Sequence, residues 1–328
     1  MIISRTPFRI SFFGGGTDLP YWYEKYFGKV ISTTINQYCY INLRILPPHF
    51  KYNYRMRYFK TEEVFKINEI KHPSIREIIK FKKLKDRLEV VHQADLPAQS
   101  GLGASSSFSV GLINCIEALN GSLISKRNLA NQSLHIEQKI LKEDVGSQDQ
   151  VAAAFGGFNV IKFRKGNYEV NPVLNFKNIQ KLEESIVLVY SGLPRDAKNI
   201  EKEKKKNFNL NKKYLDEIQK LTERAQKKIS SSRNILSDFS ELMEEYWWLK
   251  QKLSSKVSNN TIRNIFKIAK KNKALSGKVL GAGGGGFVLF LVKNKDRKNF
   301  LESFKNYMTL TPRFENLGSQ IIYFLGNK

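Results

Sequence analysis

The stretch Leu96 to Ser109, LPAQSGLGASSSFS, sets two glycines and five serines in fourteen positions between two apolar segments. Before it, LEVVHQADLP from Leu88 reads as a strand stopped by Pro97. After it, Phe108, Leu112, Cys115, Ile116 and Leu119 recur on one helical face, closed by Asn120-Gly121. A strand, a glycine turn and a helix starting near Ala104 bring unpaired backbone N–H groups and the positive end of a helix dipole to one point, which is an anion site. Gly101 and Gly103 let the backbone turn and approach a phosphate, while Ser105, Ser106 and Ser107 add hydroxyl donors without blocking it. A serine hydroxyl can also ligate a hard cation such as Mg²⁺. A plain flexible loop with a serine N-cap is the alternative.

Other phosphate motifs are missing. Gly28-Lys29 and Gly277-Lys278 both lead to valine, so there is no G-x-x-x-x-G-K-[ST], and neither H-R-D nor D-F-G occurs. A formal G-x-G-x-x-G at Gly281, Gly283 and Gly286 sits in LGAGGGGFVLFLV, where a helix-like segment precedes and a strand follows. A dinucleotide fingerprint needs the reverse order, so these glycines point to a backbone pressed against a ligand or another loop, or to a tight helix-to-strand turn.

The chain of 328 residues suits two domains, with a boundary near the apolar run IVLVY at Ile186 to Tyr190, giving residues 1–180 and 181–328. Two cysteines exclude a disulfide framework, and four scattered histidines exclude a histidine-built metal site. The N-terminus lacks a signal-peptide core and FVLFLV is too short to cross a bilayer, so a cytoplasmic protein with no membrane partner is expected.

The formal net charge of +25 attracts anions: nucleic acid, anionic lipid or a phosphorylated metabolite. It is unevenly spread and rises in Lys198 to Lys228, where Leu210, Tyr214, Ile218 and Leu221 recur at helical spacing among lysines. That pattern reads as a solvated helix face, because no nucleic-acid reading motif accompanies the charge, and no nucleic-acid partner is expected. A basic nucleic-acid-binding protein is the rival from another class.

Two further segments carry chemistry. HIEQKILKEDVGSQDQVAAAFGG, 135–157, sets Glu137 on a helix capped by Ser125 and Asp149 twelve residues later. Near a phosphate loop one carboxylate can hold Mg²⁺ and another can take a hydroxyl proton, although spacing alone equally fits solvated acids. RTPFRISFFGGGTDLPYW, 5–22, leads a strand into Gly14-Gly15-Gly16 and then Thr17-Asp18. An ionised Asp there can accept from adjacent sugar hydroxyls, or close an Asx-turn or cap a helix.

Taken in order, the three glycine-rich blocks resemble the GHMP small-molecule kinases. The resemblance spans residues 5 to about 290 and implies an α+β, two-domain GHMP kinase fold: an N-terminal α/β domain with a left-handed βαβ crossover and a C-terminal ferredoxin-like domain. RTPFRISFFGGGTDLP, GKVISTTINQYCYI and KEDVGSQDQVAAAFGG most resemble the branch that phosphorylates D-glycero-D-manno-heptose 7-phosphate on its anomeric hydroxyl to the 1,7-bisphosphate, with ATP and Mg²⁺. Fucokinase domains share much of this pattern. The resemblance implies that the backbone from Gly101 through Leu102, Gly103, Ala104, Ser105 and Ser106 to Ser107 wraps the triphosphate and that Ser105 and Glu137 hold Mg²⁺. Asp149 is then the base, Thr17 and Asp18 bind sugar hydroxyls, and Gly283, Gly284 and Gly285 approach the reacting groups. Arg9 stands where many family members carry lysine and offers a planar fork in place of a point charge. A substrate that already bears a phosphate needs a second cation, for which Arg195 and Lys198 are candidates.

Overall fold

The structure, a computed structural model, describes residues 1–194 and 197–325, the side chains of Ala197 and Lys198 excepted. In chain order it begins β1 (Ile2–Phe13), α1 (Pro20–Tyr23), β2 (Gly28–Ile45), β3 (Tyr54–Arg57), β4 (Thr61–Val64), α2 (Pro73–Phe81), β5 (Leu88–Ala94) and α3 (Ala104–Leu119). Then follow α4 (Lys126–Leu134), α5 (Gln148–Phe155), β6 (Phe158–Arg164), β7 (Asn167–Pro172), α6 (Phe176–Ser185) and β8 (Ile186–Tyr190). The rest comprises α7 (Ala197–Lys206), α8 (Phe208–Ser231), α9 (Ile235–Lys252), α10 (Asn260–Lys271), β9 (Ser276–Val279), β10 (Phe287–Leu291), α11 (Asn294–Ser303), β11 (Thr309–Leu310), β12 (Phe314–Glu315) and β13 (Gln320–Phe324).

Nine strands form the first sheet, running β13-β1-β2-β5-β3-β4, with β6 and β12 also on β2 and β7 on β6. Strand β2 is long enough to serve two partners: Gly28 to Thr33 pairs with β6, and Cys39 to Ile45 pairs with β5. In β1 the register shifts at Pro7/Phe8, where proline has no N–H to give, and again at Ser11/Phe13. The first bulge lies just before Arg9 and the second just before the Gly14 turn. The second sheet, β11-β8-β10-β9, is antiparallel throughout. With helices between β8 and β9 and between β10 and β11, it has the βαββαβ order of a ferredoxin-like domain.

One apolar core runs through both layers. Phe12 and Phe13 at the end of β1 meet Phe239 of α9 at centroid distances of 5.4 and 4.8 Å, and Phe13 meets Tyr246 edge-on at 5.6 Å. Such pairs contribute about 0.5–1.5 kcal/mol each beyond their buried area, and here they tie the second domain to the strand that leads into the site.

Several expectations need correcting. The last strand, β13, pairs with β1, so the C-terminal segment returns to the first sheet. A strand, β9, precedes the third glycine block, which is therefore the loop of the antiparallel β9–β10 pair, still without a helix after it. In the lysine-rich region the helix breaks at Asn207; Leu210 is exposed, and α8 buries Leu215, Ile218, Leu221 and Ala225 instead. No helix among the described residues is long and apolar enough to cross a membrane.

Candidate active site

The glycine turn before α3 has the backbone that its composition predicts. Gly101 and Gly103 have φ of +87° and +80°, a region open to glycine, and Gly103 is the N-cap of a sixteen-residue helix. The three serines after it diverge. Ser105 is exposed at the helix start, Ser106 is buried and donates to Glu137 Oε2 at 3.0 Å, and Ser107 donates to the Pro7 carbonyl at 2.9 Å. The serine that meets Glu137 is thus Ser106, where the resemblance points to Ser105. Successive helical residues are turned by about 100°, so only one of the three can face that carboxylate.

Glu137 lies in a π-helical turn, His135–Ile140, that continues α4 where a longer α-helix is expected. Such bulges re-aim a side chain and recur at functional sites. Burial pushes the Glu137 carboxyl up to about 7, against hydrogen bonds from Gln150, Ser109 and Ser106 that pull it down. Gln150 donates to it at 2.5 Å, while the Gln150 Oε1 is buried without a partner.

Asp149 stands in the first turn of α5. Arg9, 2% exposed, donates from Nε and Nη2 to its two carboxylate oxygens, each at 2.7 Å, and from Nη1 to the Gly101 carbonyl at 2.8 Å. The Arg9 backbone N–H also donates to the Leu102 carbonyl at 2.9 Å. One arginine therefore fixes the acid, the strand and the phosphate loop together. A Cβ at Gly103 would stand 3.5 Å from Asp149 Oδ2 and 3.2 Å from Arg9 Cγ, so loop and acid are in contact.

The first glycine block places Asp18 against the start of α5. Its Oδ1 accepts from the Gly16 N–H at 2.9 Å, and its Oδ2 accepts from Gln148 Nε2 at 3.0 Å. Burial pushes Asp18 up to about 6; the charges of Asp149 and Glu201 push the same way, and the Gly16 and Gln148 N–H groups oppose them. Thr17 is spent on the backbone: its hydroxyl reaches the Gly14 and Lys29 carbonyls at 2.8 and 3.0 Å and accepts from the Lys29 N–H at 3.1 Å. It builds the turn and leaves no donor for a ligand.

The third glycine block closes on the phosphate loop. A Cβ at Gly286 would lie 2.3 Å from the Ser100 carbonyl oxygen, which accepts from the Phe287 N–H at 2.9 Å. Gly283, Gly284 and Gly285 face Val257, Ile200 and the Leu193 and Pro194 carbonyls, so these three glycines are packed against protein. Arg195 and the side chain of Lys198 lie outside the described residues.

Two residues the sequence does not announce brace the site. Lys278 of β9 is buried; its Nζ donates to the Ser11 and Phe12 carbonyls at 2.9 and 2.7 Å and lies 4.1 Å from the Tyr246 ring centre. Burial, and then the nearby Arg9 charge, hold its pKa well below the ordinary lysine value. Lys250 donates to the Val279 and Gly281 carbonyls at 2.8 and 2.6 Å, anchoring the third glycine block.

A helix N-terminus with an exposed serine, an acid pinned beside it and a buried carboxylate one turn along are parts of a phosphoryl-transfer site. Residues 73–157 match the GHMP kinases N terminal domain and residues 206–309 match the GHMP kinases C terminal domain. The chain is 31% identical over 93% of its length to the D-glycero-alpha-D-manno-heptose 7-phosphate kinase of Campylobacter jejuni, of which it covers 93%. It is 27% identical over 62% of its length to a bifunctional fucokinase/GDP-fucose pyrophosphorylase of Arabidopsis thaliana, covering 20% of that protein. In fold it is similar to a D-glycero-D-manno-heptose 1-phosphate kinase from Bacteroides thetaiotaomicron, with a TM-score of 0.81, 21% identity, and 99% and 100% of the two chains covered.

The chain belongs to the GHMP kinase family and has its two-domain fold. It is a phosphotransferase, of a family that uses ATP as phosphate donor.

Proposed function

We propose that this enzyme phosphorylates the anomeric hydroxyl of D-glycero-D-manno-heptose 7-phosphate, giving the 1,7-bisphosphate. The contact of Asp149 with Gly103 at the start of α3 carries the phosphoryl-transfer chemistry, and the Campylobacter relative supports the sugar. The α3 N-terminus, from Gly101 to Ser107, binds the ATP phosphates through backbone N–H groups. Asp149 accepts the attacking hydroxyl: a carboxylate has about four acceptor positions, and Arg9 takes two. With both oxygens fixed by a planar fork, Asp149 acts first by orienting the hydroxyl and takes its proton as the bond to phosphorus forms.

Glu137 fits a divalent cation. Its carboxylate is buried with no lysine or arginine paired to it among the described residues, and Gln150 Oε1 beside it is orphaned. No group of three or more His, Cys, Asp or Glu converges among the described residues, which suits Mg²⁺ held by one carboxylate, a serine hydroxyl and phosphate oxygens. Glu137 with Ser106 would hold the ion. When bound, Mg²⁺ supplies charge neutralisation on the transferring phosphoryl group.

Asp18 binds sugar hydroxyls in its ionised form, which gives a pH signature. With its pKa at about 6, Asp18 loses its charge as pH falls through that value, so the KM for the sugar rises, and Asp18→Asn abolishes this dependence. The effect on stability has the opposite sign: a raised carboxyl pKa contributes stability that is full below the unfolded value of about 3.9 and is lost as pH rises through 6.

The reading is tested by offering ATP and Mg²⁺ with heptose 7-phosphate, heptose 1-phosphate, unphosphorylated heptose, L-fucose and mevalonate, and locating the new phosphate by NMR. The expected result is strong preference for heptose 7-phosphate and phosphorylation at carbon 1. Preference for any other acceptor, or phosphate at another position, overturns it.

A further inference from the structure

Helix α7, which belongs to the second domain, reaches over the site. Ile200 packs against Gly284, Lys204 donates to the Ala282 carbonyl at 3.3 Å, and Lys205 pairs with Asp144 of the first domain at 2.5 Å. Glu201 lies on the same helix. Its Oε1 accepts from Lys204 Nζ at 2.9 Å, but its Oε2 is buried with no hydrogen-bond partner among the described residues. Glu201 and Lys205 stand one turn apart on the same face of α7. Asp144, which Lys205 holds, lies two residues before Gly146, where a Cβ would meet Asp18 Oδ2 at 2.0 Å, so this face of α7 lies on the Asp18 side of the cleft. The Glu201 charge accordingly raises the pKa of Asp18, Tyr21 and Tyr246.

An independent observation on the opposite wall agrees. Gln148 is 8% exposed; its Nε2 donates to Asp18, so its Oε1 is the free end of the amide, and that oxygen is also buried without a partner. Buried acceptors left unpaired cost free energy unless a ligand supplies donors. Two carboxylates and an amide oxygen repel phosphate and accept from hydroxyls.

We propose that Glu201, together with Asp18 and Gln148, forms the acceptor wall of a polyol subsite, and that Glu201 reads one ring hydroxyl of the sugar from α7 through its unpaired Oε2. The inference rests on the sugar-kinase reading above and adds a specificity residue from the second domain. It also orients the substrate: hydroxyl-bearing carbons lie against this wall, and any phosphate on the sugar points out of it.

The test compares wild type and Glu201→Gln on heptose 7-phosphate and on its analogues lacking one ring hydroxyl each. Expected is a rise of about tenfold or more in sugar KM, with ATP KM within twofold. For the one analogue lacking the hydroxyl that Glu201 reads, wild type and variant become equal. An unchanged sugar KM, or an equal loss on every analogue, overturns the inference and leaves the substrate reading intact. If wild type prefers another sugar and Glu201→Gln raises the KM for it, the substrate reading falls and the Glu201 assignment stands; if wild type phosphorylates no polyol, both fall. Should Glu201→Gln lose cooperative melting, Glu201→Asp serves for the same comparison, since it keeps the charge and withdraws the oxygens.

Discussion

Asp149→Asn lowers turnover about 10²–10⁴-fold, the range of a lost general base, while the dissociation constant for ATP changes by a few-fold at most. The geometry separates the two effects. An amide offers a single acceptor where Arg9 now finds two oxygens at 2.7 Å, and its NH₂ group points a donor at the substrate hydroxyl or at the guanidinium. The α3 N-terminus is untouched. Because Arg9 is buried, its unmatched fork also lowers the melting temperature, so turnover is compared at a temperature where both proteins are folded. Arg9→Lys is the companion: an ammonium keeps a charge beside Asp149 but loses the planar fork that fixes both carboxylate oxygens, and intermediate turnover is expected. Turnover of Asp149→Asn close to wild type removes Asp149 from the reaction.

Gly286→Ala raises the KM for ATP and lowers kcat, with a combined loss on the order of a hundredfold, the cost of misplacing reacting groups by about 1 Å. A methyl group there meets the Ser100 carbonyl oxygen at 2.3 Å, and Ser100 opens the phosphate loop. To relieve the overlap the loop must separate from β10 and give up the Phe287 N–H bond to Ser100. Residue 286 also has φ of +76°, which alone costs alanine about 1–2 kcal/mol. Gly166→Ala controls for that strain, since Gly166 has φ of +72° and nothing within 4 Å of a Cβ. Equal KM values for ATP in the two variants refute a structural role for the Gly286–Ser100 contact in nucleotide binding.

The phosphate-loop geometry was readable because it is local: a strand, left-handed glycines and a helix lie within thirty-two residues, Leu88 to Leu119, and each has its own sequence signal. Glu137 and Asp149 were nameable as candidates, but the approach of Glu137 to that loop depends on a π-turn that composition does not encode. The choice between Ser105 and Ser106 turns on helix phase, which a run of similar residues leaves undetermined. Arg9 and Asp149 are 140 positions apart, and Lys278 is more than 260 from the carbonyls it binds. Such pairings follow from topology, as does the return of β13 to β1. Thr17 shows the converse: a polar residue beside an acid in a glycine turn reads as a ligand group, yet its hydroxyl closes the turn.

The side-chain nitrogen of Lys278 acts as a rivet through the seam between the two sheets. Prising them apart would leave that buried donor and two peptide oxygens without partners, so wide opening along this seam is costly. By contrast, the exposed Lys205–Asp144 pair that ties α7 to the first domain lets go in water at little cost.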